Sequence, residues 1–150
     1  MMDLRRASAD DRLCVEEFQR AAYARTEAIV GARAIPLEWD YGKILEECEV
    51  WFDETDGSLK GVLILRVLGK ELFLESIATA PESARSGGGR LLLEATFERA
   101  RQLGLTRIGL ITNSLNPALS WYRRKGFVVD LEDVQPGRSV IHMSVAVPVA

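Results

Sequence analysis

Residues 71–94 read ELFLESIATAPESARSGGGRLLLE. Up to Thr79 apolar and polar residues alternate, the period of a strand with two unlike faces. Beyond the glycines, Leu93, Phe97, Ala100 and Leu103 recur at the spacing of one helix face, and Gly104 marks that helix's end. A strand that passes through Ser86-Gly87-Gly88-Gly89 straight into a helix turns successive backbone N–H groups outward at the positive end of the helix dipole, which suits a phosphate. Arg85 and Arg90 bracket the turn and could add charge. A plain flexible turn accounts for the same glycines, and from the glycines alone both readings stand. No Lys-Ser/Thr pair follows, which excludes a Walker loop, and Leu92 occupies the third-glycine place of a dinucleotide fingerprint.

Working outward, the residues before this stretch suggest a short strand over 4–7, then a helix capped by Ser8 and Asp11 with Val15, Phe18 and Ala22 on one face. A second helix over 36–48 places Leu37, Tyr41, Ile44 and Cys48 together. Strands over 49–53, 59–67 and 71–79, with turns at Thr55-Asp56-Gly57-Ser58 and Leu68-Gly69-Lys70, predict an antiparallel meander. After the glycine-opened helix comes a strand over 106–112. A short helix over 117–125 follows, with Asn116 as N-cap, Pro117 at its first position and Gly126 past its end. Strands over 127–131 and 139–147 close the chain around Gln135-Pro136-Gly137.

The chain has 150 residues, a size for one domain with its own core. Hydrophobic residues at 47% and charged residues at 27% exclude a disordered, collagen-like or coiled-coil chain. Cys14 and Cys48 form no CxxC pair and His142 is the one histidine, so neither a disulfide framework nor a metal site is expected. No apolar run reaches the ~20 residues of a membrane span, and the first residues carry no signal-peptide pattern, so a cytoplasmic protein is expected. A net charge of −3 gives no basic footprint for nucleic acid. The charge is uneven: residues 1–75 hold 10 Lys/Arg against 16 Asp/Glu, and residues 76–150 hold 9 against 6.

With Ile77-Ala78-Thr79-Ala80-Pro81, Ala84 to Gly89, Arg90-Leu91-Leu92-Leu93-Glu94, and Asn116 to Phe127 closing in WYRRKGF, the chain resembles the GCN5-related N-acetyltransferase (GNAT) superfamily over nearly its whole length, 1–150. The resemblance implies an α+β, three-layer fold: a mixed, mostly antiparallel sheet of six to seven strands in the order 1-2-3-4-5-7-6, with about four helices. It implies acetyl-CoA as acyl donor. The family's pyrophosphate loop, Q/R-x-x-G-x-G/A, falls on Ala84-Arg85-Ser86-Gly87-Gly88-Gly89, where Ala84 replaces the Gln or Arg. Arg85 or Arg90 could supply the missing contact. The backbone of Ile77, Ala78 and Thr79 would bond pantetheine where the strand ending at Thr79 splays from the one ending at Thr112.

Tyr122 stands where the family has a tyrosine beside the thioester sulfur as general acid. A phenol with a pKa of about 10 holds its proton at pH 7 and can protonate a leaving thiolate. A core tyrosine beside Leu119 and Trp121 is the other reading. Asn116 is a helix cap or a pantetheine ligand, a role that Asn113 could also fill. Glu75 lies where the family sometimes carries a carboxylate that deprotonates the amine directly or through water, and an ion-paired strand residue is its alternative. His142 is expected to be a strand residue. Alternation sets Glu71, Phe73, Glu75 and Ile77 on one face.

The charge split assigns the polyanionic donor to the basic half, with Arg85, Arg90, Arg123, Arg124 and Lys125 near its phosphates, and a cationic acceptor to the acidic half. Trp39, Asp40 and Tyr41, with Glu38 nearby, fall in the region that lines the family's acceptor site, and aromatic and acidic groups suit an ammonium. A solvated helix face is the alternative there. The partners implied are a small-molecule or peptide amine and, by resemblance, a second copy of the chain, with no nucleic acid, membrane or metal. A non-catalytic acyl-CoA binding module shares every cofactor feature. The WYRRKGF end is also similar to glyoxalase-like metal proteins, which one histidine and the lack of an internal repeat exclude.

Overall fold

The computed structural model describes residues 3–30, 36 and 39–148. The elements are β1 (Arg5–Arg6), a 3-10 turn (Ala9–Asp11), α1 (Arg12–Val30), α2 (Tyr41–Glu47), β2 (Glu49–Thr55), β3 (Ser58–Leu68), β4 (Glu71–Thr79), α3 (Pro81–Arg85), α4 (Gly88–Gln102), β5 (Arg107–Asn113), α5 (Ala118–Arg124), β6 (Val128–Gln135) and β7 (Arg138–Ala146). The strands form one sheet of seven in the order β1-β2-β3-β4-β5-β7-β6, the order the resemblance implies.

Alternation along β3 divides the core between the sheet's two faces. Val62 and Ile64 pack with Val50, Phe52, Val15 and Ile44 under α1 and α2, whereas Leu63 and Leu65 pack with Leu72, Leu74, Leu92, Leu93, Ile108 and Met143 under α4. Three layers result, helices on both faces of the sheet. The β2–β3 turn has both Asp56 (φ 53°) and Gly57 (φ 76°) left-handed, the paired geometry that matches the twist of a tight hairpin.

Element ends differ in detail from the sequence reading. Ser8 and Asp11 do form the cap, with the Ser8 N–H donating to the Asp11 carboxylate at 2.8 Å, but the first turn is 3-10. The helix expected over 36–48 is α2 alone, because Asp40 is its N-cap and accepts from the Gly42 N–H at 2.9 Å. Leu37 and Glu38 lie outside the described residues. Pro81 opens a short helix, α3, that brings the α-helices to five; the fixed φ of proline favours that first position. Strand β6 runs on to Gln135 instead of ending at 131, because it pairs with β7 down to the turn at Pro136-Gly137.

A part-buried ion pair ties α4 to the meander. Arg99 grips the Glu49 carboxylate at 2.8 and 2.9 Å, the Trp51 indole N–H donates to the same carboxylate at 3.0 Å, and the guanidinium lies over the Trp51 ring. Burial alone would raise the Glu49 pKa, but the bonds from Arg99 and Trp51 outweigh it and hold the carboxyl below its ordinary value. A depressed folded-state pKa contributes stability above the unfolded value of about 4.3, and that contribution is lost as pH falls through the folded value. Arg99→Ala is therefore expected to destabilise the fold by about 2 kcal/mol at pH 7 and to flatten the acid limb of the stability profile. Urea titrations from pH 3 to 7 check both effects.

Two irregularities shape the sheet's centre. Parallel pairing of β4 with β5 stops at Phe73↔Gly109, so residues 74–79 and 110–113 part company. On its other edge β4 carries a bulge: Ile64 faces Ser76 and Leu65 faces Leu74, which leaves Glu75 as the extra residue. The bulge overturns the expected alternation. Glu71 and Phe73 share a face, but past Glu75 the pleat resets and Ile77 packs on the α4 side with Leu63, while Ser76 and Ala78 turn toward α1.

Candidate active site

The parting of β4 and β5 opens the middle of the sheet, and four elements border the opening. Strand β4 supplies backbone. The Ala80 N–H bonds the Lys60 carbonyl across to β3 at 2.9 Å, so by strand alternation the N–H and C=O groups of Thr79 and Ile77 face the open edge. Ile77 and Thr79 thus turn backbone groups to the opening, whereas Ala78, which the sequence reading grouped with them, faces Val62 in the β3 ladder; Ala84 lies beside them.

Helix α4 supplies the donors. Gly87 at φ 91° is its N-cap and offers no side-chain cap, which leaves the N–H groups of the first turn outward. Gly88 is a glycine for a different reason: a Cβ there would sit 2.7 Å from the Ser83 carbonyl oxygen, so α3 and α4 could not meet. Gly89 tolerates a side chain, with the Trp121 ring 3.7 Å from a Cβ at that position. The Arg90 guanidinium reaches back over Gly87 and pairs weakly with Glu94 at 3.9 Å. Arg85 ends α3, and Ser86 bonds the carbonyls of Glu82 and Ser83 through its hydroxyl, which stiffens the turn.

Helix α5 supplies the tyrosine. The Asn116 side chain accepts the Ala118 N–H at 2.9 Å and the Asn113 side chain accepts the Leu115 N–H at 2.8 Å, so both oxygens serve the turn before α5. Tyr122 packs edge-on against Trp121 at 5.0 Å and Phe127 at 5.4 Å between ring centres. Burial pushes its phenol pKa up, and the Tyr23 phenol adds to the shift. Tyr23 belongs to α1, on the opposite face of the sheet.

Helix α1 supplies the wall that sequence reasoning missed. Ala22, Tyr23, Arg25 and Thr26 line a cavity of about 330 Å³ together with the end of β4. The Tyr23 hydroxyl is 2.6 Å from the Ser76 hydroxyl, which also accepts from the buried Gln19 amide at 3.1 Å. The Arg25 guanidinium donates to the Thr79 carbonyl at 2.7 Å. A signal was present: Gln19, Tyr23 and Thr26 recur at i, i+4 and i+7, a stripe of hydrogen-bonding side chains on a buried helix face.

Trp39 and Tyr41, expected at an acceptor site, do not line this cavity. Tyr41 is 4% exposed, belongs to the core under α1 and α2, and gives its hydroxyl to the Pro36 carbonyl at 2.8 Å; Trp39 packs on that cluster, 6.1 Å from the Tyr41 ring. Tyr41 lies on the buried face of α2, and Trp39, just before that helix, is partly buried. Seven acidic residues of the first half are held by arginines: Asp11 and Glu54 by Arg5, Glu16 and Asp40 by Arg12, Glu47 by Arg66, Glu49 by Arg99 and Glu71 by Arg107. Glu75 is half-buried at the bulge. Burial raises its pKa above the ordinary carboxylate value, with Arg66 opposing. His142 sits within β7 between Ile111 and Leu131. Among the described residues no group of His, Cys, Asp and Glu could hold a metal ion, and no helix is long and apolar enough to cross a membrane.

This sheet with its central splay, and an uncapped glycine-opened helix beside it, define a GNAT fold. The chain belongs to the GNAT family of acetyltransferases, whose family model matches residues 12–127. A mycothiol acetyltransferase of Acidimicrobium ferrooxidans is 36% identical over a 115-residue alignment covering 65% of this chain and 36% of that protein. An amino-acid acetyltransferase of Aeromonas salmonicida is 29% identical over 85% of this chain and 31% of its own length. The chain thus spans about a third of the length of these relatives. Among solved structures, PaiA N-acetyltransferase from Thermoplasma acidophilum in complex with coenzyme A superposes with a TM-score of 0.77 over 93% of this chain and 96% of that one, at 20% identity. The family uses acetyl-CoA as donor.

Proposed function

We propose that the chain transfers an acetyl group from acetyl-CoA to a primary amine by direct attack within a ternary complex, the acceptor being a cationic small molecule or amino-acid-like. The observation that carries this reading is the opening itself. It is bordered by an uncapped helix N-terminus, by the unpaired end of β4 and by α5, which carries Tyr122. Donor and acceptor can then enter from different faces and meet in the middle.

In this reading the N–H groups at Gly87, Gly88, Gly89 and Arg90 hold the pyrophosphate, with Ala84, Arg85 and Ser86 forming the rest of the loop. The open backbone of Ile77 and Thr79 holds the pantetheine arm beside Ala78, and Asn116 shapes the turn before α5. The amine nitrogen bonds to the thioester carbon, the carbon–sulfur bond breaks, and Tyr122 gives its hydroxyl proton to the departing sulfur. Glu75 takes the amine's proton directly or through water. Its raised pKa brings it nearer neutrality and makes it a better base than an ordinary carboxylate, so turnover is expected to fall as pH drops through that raised value. We assign pairing with a second copy to the same proposal, with β6, an edge strand exposed along its whole length, as the available surface.

Calorimetric titration tests the reading. Micromolar binding of acetyl-CoA and CoA but not of ATP, followed by thiol release with a panel of primary amines, is the expected result. Binding without turnover across the panel would favour a non-catalytic acyl-CoA module, and no binding would overturn the proposal.

A further inference from the structure

We propose that the acceptor is an amine that also carries a carboxylate, and that Arg25 on α1 holds that carboxylate in the cavity beside the end of β4. The inference rests on the transferase reading above and narrows its acceptor to the amino-acid-like class. Ala22, Tyr23, Arg25 and Thr26 meet the last residues of β4 in this cavity. None of residues 86–91 lines it; the glycine turn lines a separate cavity with Asp53, Thr55 and Lys60. A donor whose phosphates sit at the glycine turn therefore leaves the α1 cavity to the acceptor.

The lining decides the charge of what enters. Among the described residues Arg25 is its one charged side chain, and no Asp or Glu lines it, so an ammonium without a compensating anion meets only like charge there. Thr26 and Thr79 beside it are neutral, and the Tyr23 hydroxyl is engaged with Ser76 at 2.6 Å. Among the described residues no carboxylate pairs with Arg25, whereas Arg5, Arg12, Arg66 and Arg99 are each committed to one. A guanidinium carries five N–H donors in a planar fork, and the Thr79 carbonyl engages one nitrogen at 2.7 Å. The rest of the fork is open to the two parallel bonds that a carboxylate accepts. The bond to Thr79 orders the side chain beforehand, which lowers the entropy cost of gripping a ligand. At about 330 Å³ the cavity lies at the small end of the ~300–1,000 Å³ range of ligand sites, the scale of a single amino acid rather than of an oligosaccharide amine.

Initial-rate kinetics with acetyl-CoA test this on matched acceptors: a panel of L-amino acids, each beside its carboxamide, with spermidine as an amine that has no acid group. Wild type is expected to prefer at least one free amino acid over its carboxamide by about tenfold or more in kcat/KM, and to leave spermidine unused. Arg25 is exposed, so Arg25→Ala is expected to fold, which a thermal melt checks, and to bring the acid-to-amide ratio near one by raising KM for the acid. Arg25→Lys should keep part of the preference, since a point charge replaces the fork. A wild-type ratio near one, or a ratio that Arg25→Ala leaves intact, would overturn the inference. So would an equal loss for acid and amide, which would make Arg25 a prop for the end of β4 through Thr79. A wild-type chain that acetylates only amines without a carboxylate overturns this inference and keeps the transferase reading, whereas one that acetylates no amine overturns both.

Discussion

Gly89→Glu is expected to leave the protein folded and to weaken acetyl-CoA binding by about a thousandfold. The choice among the three glycines follows from their geometry. Gly87 sits at φ 91°, where any side chain is strained, and a Cβ at Gly88 would press on the Ser83 carbonyl, so lost binding at either place could reflect a broken turn. At Gly89 the backbone is ordinary helix and the Trp121 ring stands at normal contact distance. A carboxylate in the first turn of α4 is even favourable for the helix, because it meets the dipole's positive end. The same carboxylate would lie against the donor's pyrophosphate, and two like charges about 4 Å apart near a protein surface repel by about 4 kcal/mol. Stability and affinity are thus expected to move in opposite directions. Gly89→Ala is the control, with binding retained and stability raised by up to about 1 kcal/mol. Calorimetry for affinity and a thermal melt for folding read both. Retained affinity in Gly89→Glu would move the phosphate site away from this turn.

How much of this was legible beforehand follows from where local rules govern. Hairpins with Asp56-Gly57, Gly69 or Pro136-Gly137 at the turn, and helices ended by Gly104 and Gly126, are set by residues within a few positions of one another, so the elements and their hairpin pairings could be read locally. The resemblance supplied the strand order and the splay, which no local period contains. The bulge at Glu75 was invisible because a bulge shows only in pairing: β4 alternates through Glu75 without a break, and the partner strand β3 reveals the extra residue. The side chains of α1 that line the cavity were missed for a related reason. Trp39 and Tyr41 have the chemistry to bind a cation, but burial decides what a side chain can meet, and Tyr41 is spent on the core. Tyr23 and Arg25 sit in a helix whose apolar stripe drew the reading toward packing. The acidic bias of the first half describes composition, whereas its ion pairs describe availability, and they take up seven of its sixteen carboxylates.

Tyr122→Phe is expected to lower kcat by about a hundredfold while leaving acetyl-CoA affinity and melting temperature near wild type. Phenylalanine keeps the ring and hence the edge-on contacts with Trp121 and Phe127, so only the hydroxyl is removed. Burial raises the phenol pKa above its ordinary value of about 10, which keeps the proton in place throughout pH 6 to 9 but makes the group a weaker acid. The step remains feasible because the departing thiolate forms in the same dry opening, and desolvation raises its proton affinity too. The deficit is therefore expected to be constant across that pH range. It should also depend on the leaving group. An acetyl thioester of an aromatic thiol, whose thiolate departs without help, should narrow the gap between Tyr122→Phe and wild type, because a general acid matters least for the best leaving group. A deficit that stayed the same for both thioesters would assign Tyr122 to positioning, and unchanged turnover with acetyl-CoA would return it to the packing of Trp121 and Phe127.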